Sequence, residues 1–60
     1  MLELVKNKVV RVRQMCDCSY TDALRRIAEA EVYDTVEDYL SDALDYHDRL
    51  KFAEWLSFVE

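Results

Sequence analysis

The sequence predicts an all-α fold: a compact three-helix bundle with an additional C-terminal helical segment, in a single domain spanning residues 1–60. Three observations carry this. The chain has 60 residues, which is room for one domain. It contains no glycine and no proline. The Asn-Gly and Asp-Gly turns of hairpins are therefore absent, as are phosphate-cradling loops, which need backbone without a Cβ. Apolar residues also recur at steps of three or four along most of the chain, the period of a helix face. At 52% hydrophobic and 35% charged residues, the composition belongs to a folding chain rather than a disordered one. A chain this short buries only about 60% of the surface exposed when unfolded. A nucleotide-binding α/β fold and a deep catalytic cleft both exceed that capacity.

In the first segment, Leu2, Val5, Val9, Val12 and Cys16 share one helix face, which predicts a helix over residues 3–15 burying Val5, Val9 and Val12. A strand pattern competes there, because Val10 and Val12 alternate with Arg11 and Arg13 and valine favours strands. Ser19, with Asp22 three residues on, reads as a helix start. Tyr20, Ala23, Leu24, Ile27 and Ala28 form the stripe of that second helix, which ends near Glu31. Asp17, before it, suits a left-handed turn better than most residues do. Asp34 followed by Glu37 reads as the next capping pair, opening a third helix with Val36, Leu40, Ala43, Leu44 and His47 on one face. These three helices make a core over residues 1–47.

Residues 48–60 form the additional amphipathic segment. Phe52, Trp55, Leu56 and Val59 fall at i, i+3, i+4 and i+7, but their stripe is rotated by roughly a quarter turn from that of Val36–His47 at about 100° per residue. A bend or short break near Asp48–Leu50 accommodates both.

The stretch Met15–Leu44 resembles the ubiquitin-associated-like (UBA-like) three-helix family, which includes the N-terminal helical domain of elongation factor Ts and the C-terminal domain of the nascent-polypeptide-associated complex. Ser19, Ala23, Leu24 and Ile27 match its second-helix pattern, and Val36, Leu40, Ala43 and Leu44 supply its third. The resemblance implies a small protein-binding domain. Ubiquitin binding is not implied, because Cys16-Asp17-Cys18 replaces the family's recognition loop. A second resemblance is to the ribbon-helix-helix repressors and antitoxins over Leu24–Leu44. It implies a turn at Tyr33-Asp34-Thr35, a ribbon strand at Val9–Gln14 and Arg11 and Arg13 facing DNA.

Charge is segregated. Residues 1–20 hold Lys6, Lys8, Arg11 and Arg13 against Glu3 and Asp17, a net +2, within a chain of formal charge −5. Residues 28–48 hold eight acids and no Lys or Arg. Phosphates would meet a like-charged field over most of this surface, so nucleic acid is not the expected partner. No apolar run reaches the about 18 residues of a membrane span, and no secretion signal is read at the start. Cys16 and Cys18 would close almost no loop as a disulfide, which points to free thiols and a cytoplasmic location.

Chemistry is sparse. Cys16, Cys18 and His47 fall short of the four ligands of a structural zinc site, so no metal or cofactor is expected. His47 and Ser41 are six residues apart on different sides of a helix, which gives no nucleophile–base pair and no enzyme. Asp34, Asp38, Asp42 and Asp45 step by 4, 4 and 3 into an acidic stripe without interleaved cations. Phe52, Trp55, Leu56 and Val59 are spaced either as core or as the anchors of a helix in a partner's groove. The expected function is therefore a non-enzymatic interaction module, a small acidic adaptor or inhibitor such as a phage directs at a host protein. It would bind a protein with a basic patch, or a second copy of itself, through Asp38, Asp42, Asp45, Phe52, Trp55, Leu56 and Val59. The alternative is a dimeric ribbon-helix-helix DNA-binding repressor or antitoxin.

Overall fold

The 3-or-4 spacing of Val5, Val9 and Val12 prevails over the strand alternation. A computed structural model of the chain describes residues 1–60 as four helices and no strand: α1 (Leu2–Cys16), α2 (Tyr20–Ala30), α3 (Val36–Ala43) and α4 (Tyr46–Val59). The helical face of α1 buries Val5 and Val9 completely and half-buries Val12, whereas the alternation in a strand would have gathered Val10 and Val12. The ribbon strand expected at Val9–Gln14 is therefore replaced by helix. Glu3 in the first turn of α1 and Arg13 in its last complement the helix dipole.

Both ends of the α1–α2 hairpin close without glycine. Asp17 adopts the left-handed conformation (φ 54°, ψ 48°) and its N–H donates to the Arg13 carbonyl. Ser19 Oγ then accepts the Asp22 N–H at 3.1 Å, opening α2. At the far end of α2, the Tyr33 N–H reaches the Ala28 carbonyl at 2.9 Å and the Val32 N–H reaches Glu29 at 3.0 Å. That pair of bonds is a Schellman closure, whose left-handed position is usually glycine. Here Val32 fills it with φ 63°, although a Cβ costs roughly 1–2 kcal/mol in that region.

The start of α3 lies one residue later than the Asp34–Glu37 pairing implies. Thr35 is the cap, its hydroxyl accepting the Asp38 N–H at 3.1 Å. The break before the last helix also differs from expectation: it falls at Leu44–Asp45, not near Asp48–Leu50. Leu44 is extended (φ −129°, ψ 144°), and Asp45 Oδ1 accepts the Asp48 N–H at 2.8 Å as the cap of α4. Arg49 reinforces the corner by donating from Nη1 to the Leu44 carbonyl at 2.9 Å, a cation at the negative end of α3. His47, expected on the apolar face of the third helix, instead lies exposed in the first turn of α4.

Moving the break upstream resolves the two out-of-phase stripes. Two helices with a corner between them can each turn a stripe to the same core. Val5, Val9, Leu24, Ile27, Tyr39, Leu44 and Phe52 are buried together, with Ala23 and Ala28 as small surfaces among them. Because Phe52 belongs to this cluster, the core does not end at residue 47. The Cα radius of gyration, 10.5 Å, agrees with the about 10 Å of a folded chain of this length.

Candidate partner-binding surface

The residues chosen from the tail divide by depth. Phe52 is only 1% exposed and is a core residue, which corrects its assignment to a partner surface. Trp55 and Leu56 are half-buried against the core, and Val59 is half-buried at the end of α4. Trp55 sits between aromatics: Tyr20 meets it edge-on with centroids 5.8 Å apart, Phe52 lies at 5.5 Å, and Lys6 Nζ stands 5.7 Å over its ring. One edge of Trp55 reaches a shallow depression between α1 and α4, of about 430 Å³, which Leu2, Lys6, Lys51, Glu54 and Phe58 also line.

The acidic residues divide by role. Asp45 uses a carboxylate oxygen to cap α4. Asp42 accepts the Tyr33 hydroxyl hydrogen bond. Asp38 is exposed on the first turn of α3, where its side chain makes no hydrogen bond. The ion pairs of the chain are Glu3–Lys6, Lys8–Glu31 and Asp22–Arg25, so none of the three aspartates faces a cation.

What joins Asp42 to the rest of the molecule is a groove of about 480 Å³ between α1 and α3. Met1, Leu4, Val5 and Ala43 supply its apolar lining, Lys8 and Arg11 its edge on α1, and Glu31, Tyr33 and Asp42 its other edge. Lys8 Nζ spans the groove to Glu31 at 3.0 Å. Tyr33 meets Tyr39 edge-on at 5.6 Å, and Tyr39 also lines the groove. The electrostatics follow from these contacts. The hydrogen bond to Glu31 holds the Lys8 ammonium above its ordinary pKa, and the bond to Asp42 does the same for the Tyr33 phenol. Burial is what raises Tyr39, with neighbouring Lys8 acting against it.

The groove residues Leu4, Lys8, Glu31, Tyr33 and Tyr39 were not singled out by sequence. A signal existed for one of them: Leu4 is apolar but out of phase with the stripe of α1, and it remains 59% exposed. The same signal marks Tyr46, Leu50 and Phe58 on α4. Nothing in the sequence pattern brings Tyr33 to Asp42, because that contact depends on the α2–α3 loop. Cys16 and Cys18 are free thiols on either side of Asp17, and no three His, Cys, Asp or Glu side chains gather as a metal site. No α-helix is long and apolar enough to cross a membrane. No protein-family model, no curated protein and no solved structure matches the chain.

Proposed function

We propose that this chain is a non-enzymatic protein-interaction module, a small acidic adaptor or inhibitor, whose α1–α3 groove and α3 edge receive a partner segment bearing basic and apolar side chains. The observation that carries this reading is the groove itself: exposed Leu4 beside two tyrosines, with Asp42 on the rim. A helix or loop from another protein fills such a site by placing an apolar anchor on the floor and its charges at the rim. Asp38, exposed on α3 and facing no cation, supplies attraction for a basic partner without an internal bond to break. Val32 adds to the reading. It is flanked by two groove residues, holds a costly conformation and is 90% exposed, which suits a side chain presented to a partner.

A protein rather than a nucleic acid is the partner on grounds of charge, since a sequence pI of about 4.7 sets most of the surface against phosphate. The free thiols fit a reducing, cytoplasmic setting. We read α1–α3 as a UBA-like arrangement with α4 added. Support comes from the sequence pattern of Ser19, Ala23, Leu24 and Ile27, with Ser19 capping α2 and the other three buried along it.

Selection of a displayed random-peptide library on the immobilised protein tests this whatever the natural partner is. The expected result is enrichment of peptides joining Lys or Arg to Leu or an aromatic. Their affinity should fall at least about tenfold, or about 1.4 kcal/mol, with Asp38→Arg and with Leu4→Glu. A failure to enrich, or enriched peptides that bind both variants like the wild type, would remove the groove from the account.

A further inference from the structure

The charges around the α1–α3 groove do not all cancel. Four charged side chains line it: Lys8 and Arg11 on the α1 edge, Glu31 and Asp42 on the facing edge. Lys8 and Glu31 neutralise each other across it at 3.0 Å. Asp42 meets the neutral Tyr33 hydroxyl and no cation, so its charge is unmatched. Arg11 is exposed and forms no ion pair. The other arginines are engaged elsewhere. Arg13 stacks over Tyr20, Arg49 clamps the Leu44 carbonyl, Arg25 pairs with Asp22, and Arg26 shares a depression with Asp22 and Glu29. One unmatched charge of each sign therefore remains, on opposite edges of the groove. In a chain of net charge −5, this site is locally balanced.

Position along α1 adds direction. Met1, Leu4, Lys8 and Arg11 follow one another at steps of three, four and three, which makes them one ridge of the helix. The Met1–Leu4 end of the ridge is apolar and the Lys8–Arg11 end is cationic. Leu4 and Arg11 lie nearly two turns apart, about 10 Å along the axis, with the Lys8–Glu31 bridge between them.

We infer that the partner segment carries a carboxylate as well as a base: an apolar anchor beside Leu4, a cationic side chain toward Asp42, and a carboxylate seated on the Arg11 guanidinium about 10 Å from the anchor. This deepens the reading of the groove as a partner site and rests on it. A guanidinium offers a carboxylate two parallel N–H donors, so the contact fixes orientation as well as charge. A segment laid in the opposite direction carries its carboxylate past Met1, away from Arg11. A purely basic segment brings like charge to Arg11 and is disfavoured there. The long-range field works the other way, since a net charge of −5 attracts bases and repels acids. A carboxylate retained through selection therefore reports the local contact at Arg11.

Selecting displayed random peptides in parallel on the wild type and on Arg11→Gln tests this. Arg11→Gln removes charge from an exposed, unpaired side chain and should keep the wild-type melting temperature. Peptides enriched on the wild type should carry Asp or Glu about seven positions from the apolar anchor if helical, or about three if extended. Those enriched on Arg11→Gln should keep the anchor and lose that acid. For one synthesised wild-type binder, Arg11→Gln and replacement of the peptide's acid by its amide should each weaken binding about threefold. Both together should weaken it no further than either alone. Peptides sensitive to Leu4→Glu that lack the acid would overturn this inference and leave the groove standing, as would losses from the two changes that multiply. Peptides indifferent to Leu4→Glu, or no enrichment at all, would remove the groove and this inference with it.

Discussion

Along α4, Phe52, Trp55, Leu56 and Val59 turn toward the bundle, while Tyr46 and Leu50 turn away and Phe58 stands exposed at the rim of the α1–α4 depression. The two sets are comparable in size and hydrophobicity, and each contains aromatics. What separates them is the corner at Leu44–Asp45, which sets the rotation of α4 about its axis. Asp45 caps the helix and Arg49 clamps the preceding carbonyl, so the helix is held with Phe52 inward. Composition alone therefore says little about which aromatic is core. The phase of the helix decides, and the residues out of phase are left as surface.

The largest effect should come from the inward set. Phe52→Ala removes a buried ring and should cost about 3–5 kcal/mol, which is comparable to the whole stability of so small a domain. Urea denaturation followed by circular dichroism should show the cooperative transition lost or moved to the lowest concentrations. A wild-type midpoint would mean that the faces of α4 are exchanged.

Trp55→Ala tests the boundary between the faces, because Trp55 packs on Tyr20 and Phe52 but keeps an exposed edge. At half burial the expected loss is about 2 kcal/mol, with peptide binding at the groove unchanged. Lost binding with an unaltered melt would return Trp55 to the partner surface.

An exposed apolar residue should behave in the opposite sense. Val32→Gly relieves a β-branched side chain from the left-handed region and should stabilise the chain by about 1 kcal/mol, read as a higher melting temperature. The gain should exceed that of Asp17→Gly, since aspartate tolerates this conformation better. Equal gains would mean that the Val32 turn carries no extra strain.

The smallest effect concerns the groove, where the contacts are exposed. The folded chain holds protons on Tyr33 and Tyr39 above their ordinary 10.0 and on Lys8 above its ordinary 10.5. All three shifts are upward, so their contribution is complete below about pH 10 and is lost as pH rises through the folded values. Phenolate absorbance should show Tyr33 and Tyr39 titrating above the ordinary 10.0. Tyr33→Phe should remove one of them and lessen the alkaline loss of stability. An unchanged alkaline melt would show that the Tyr33–Asp42 contact is not maintained in solution.

Much of the fold was legible in the sequence because it is local. The Ser19 cap, the left-handed Asp17, the stripe of α2 and the helical reading of α1 each depend on residues within a few positions of one another. The errors were also local: Thr35 caps α3 where Asp34 was expected, and the corner lies at Leu44–Asp45 rather than after His47. Without glycine or proline to mark it, an aspartate cap is hard to place among Asp34, Asp38, Asp42, Asp45 and Asp48. The candidate site was less legible. Tyr33–Asp42 and Lys8–Glu31 join residues from different elements, and no periodicity encodes them. Misplacing the corner also made the tail stripe look like a second face in need of a partner, when it completes the core.

The division of α4 into an inward and an outward face is most directly tested by a soluble paramagnetic agent, with NMR signals followed side chain by side chain at low and high protein concentration. Phe52 and Leu56 should be protected at both. Tyr46, Leu50 and Phe58 should be bleached in dilute solution. Bleaching of Phe52 in the dilute chain, or protection of Leu50 there, would contradict the account.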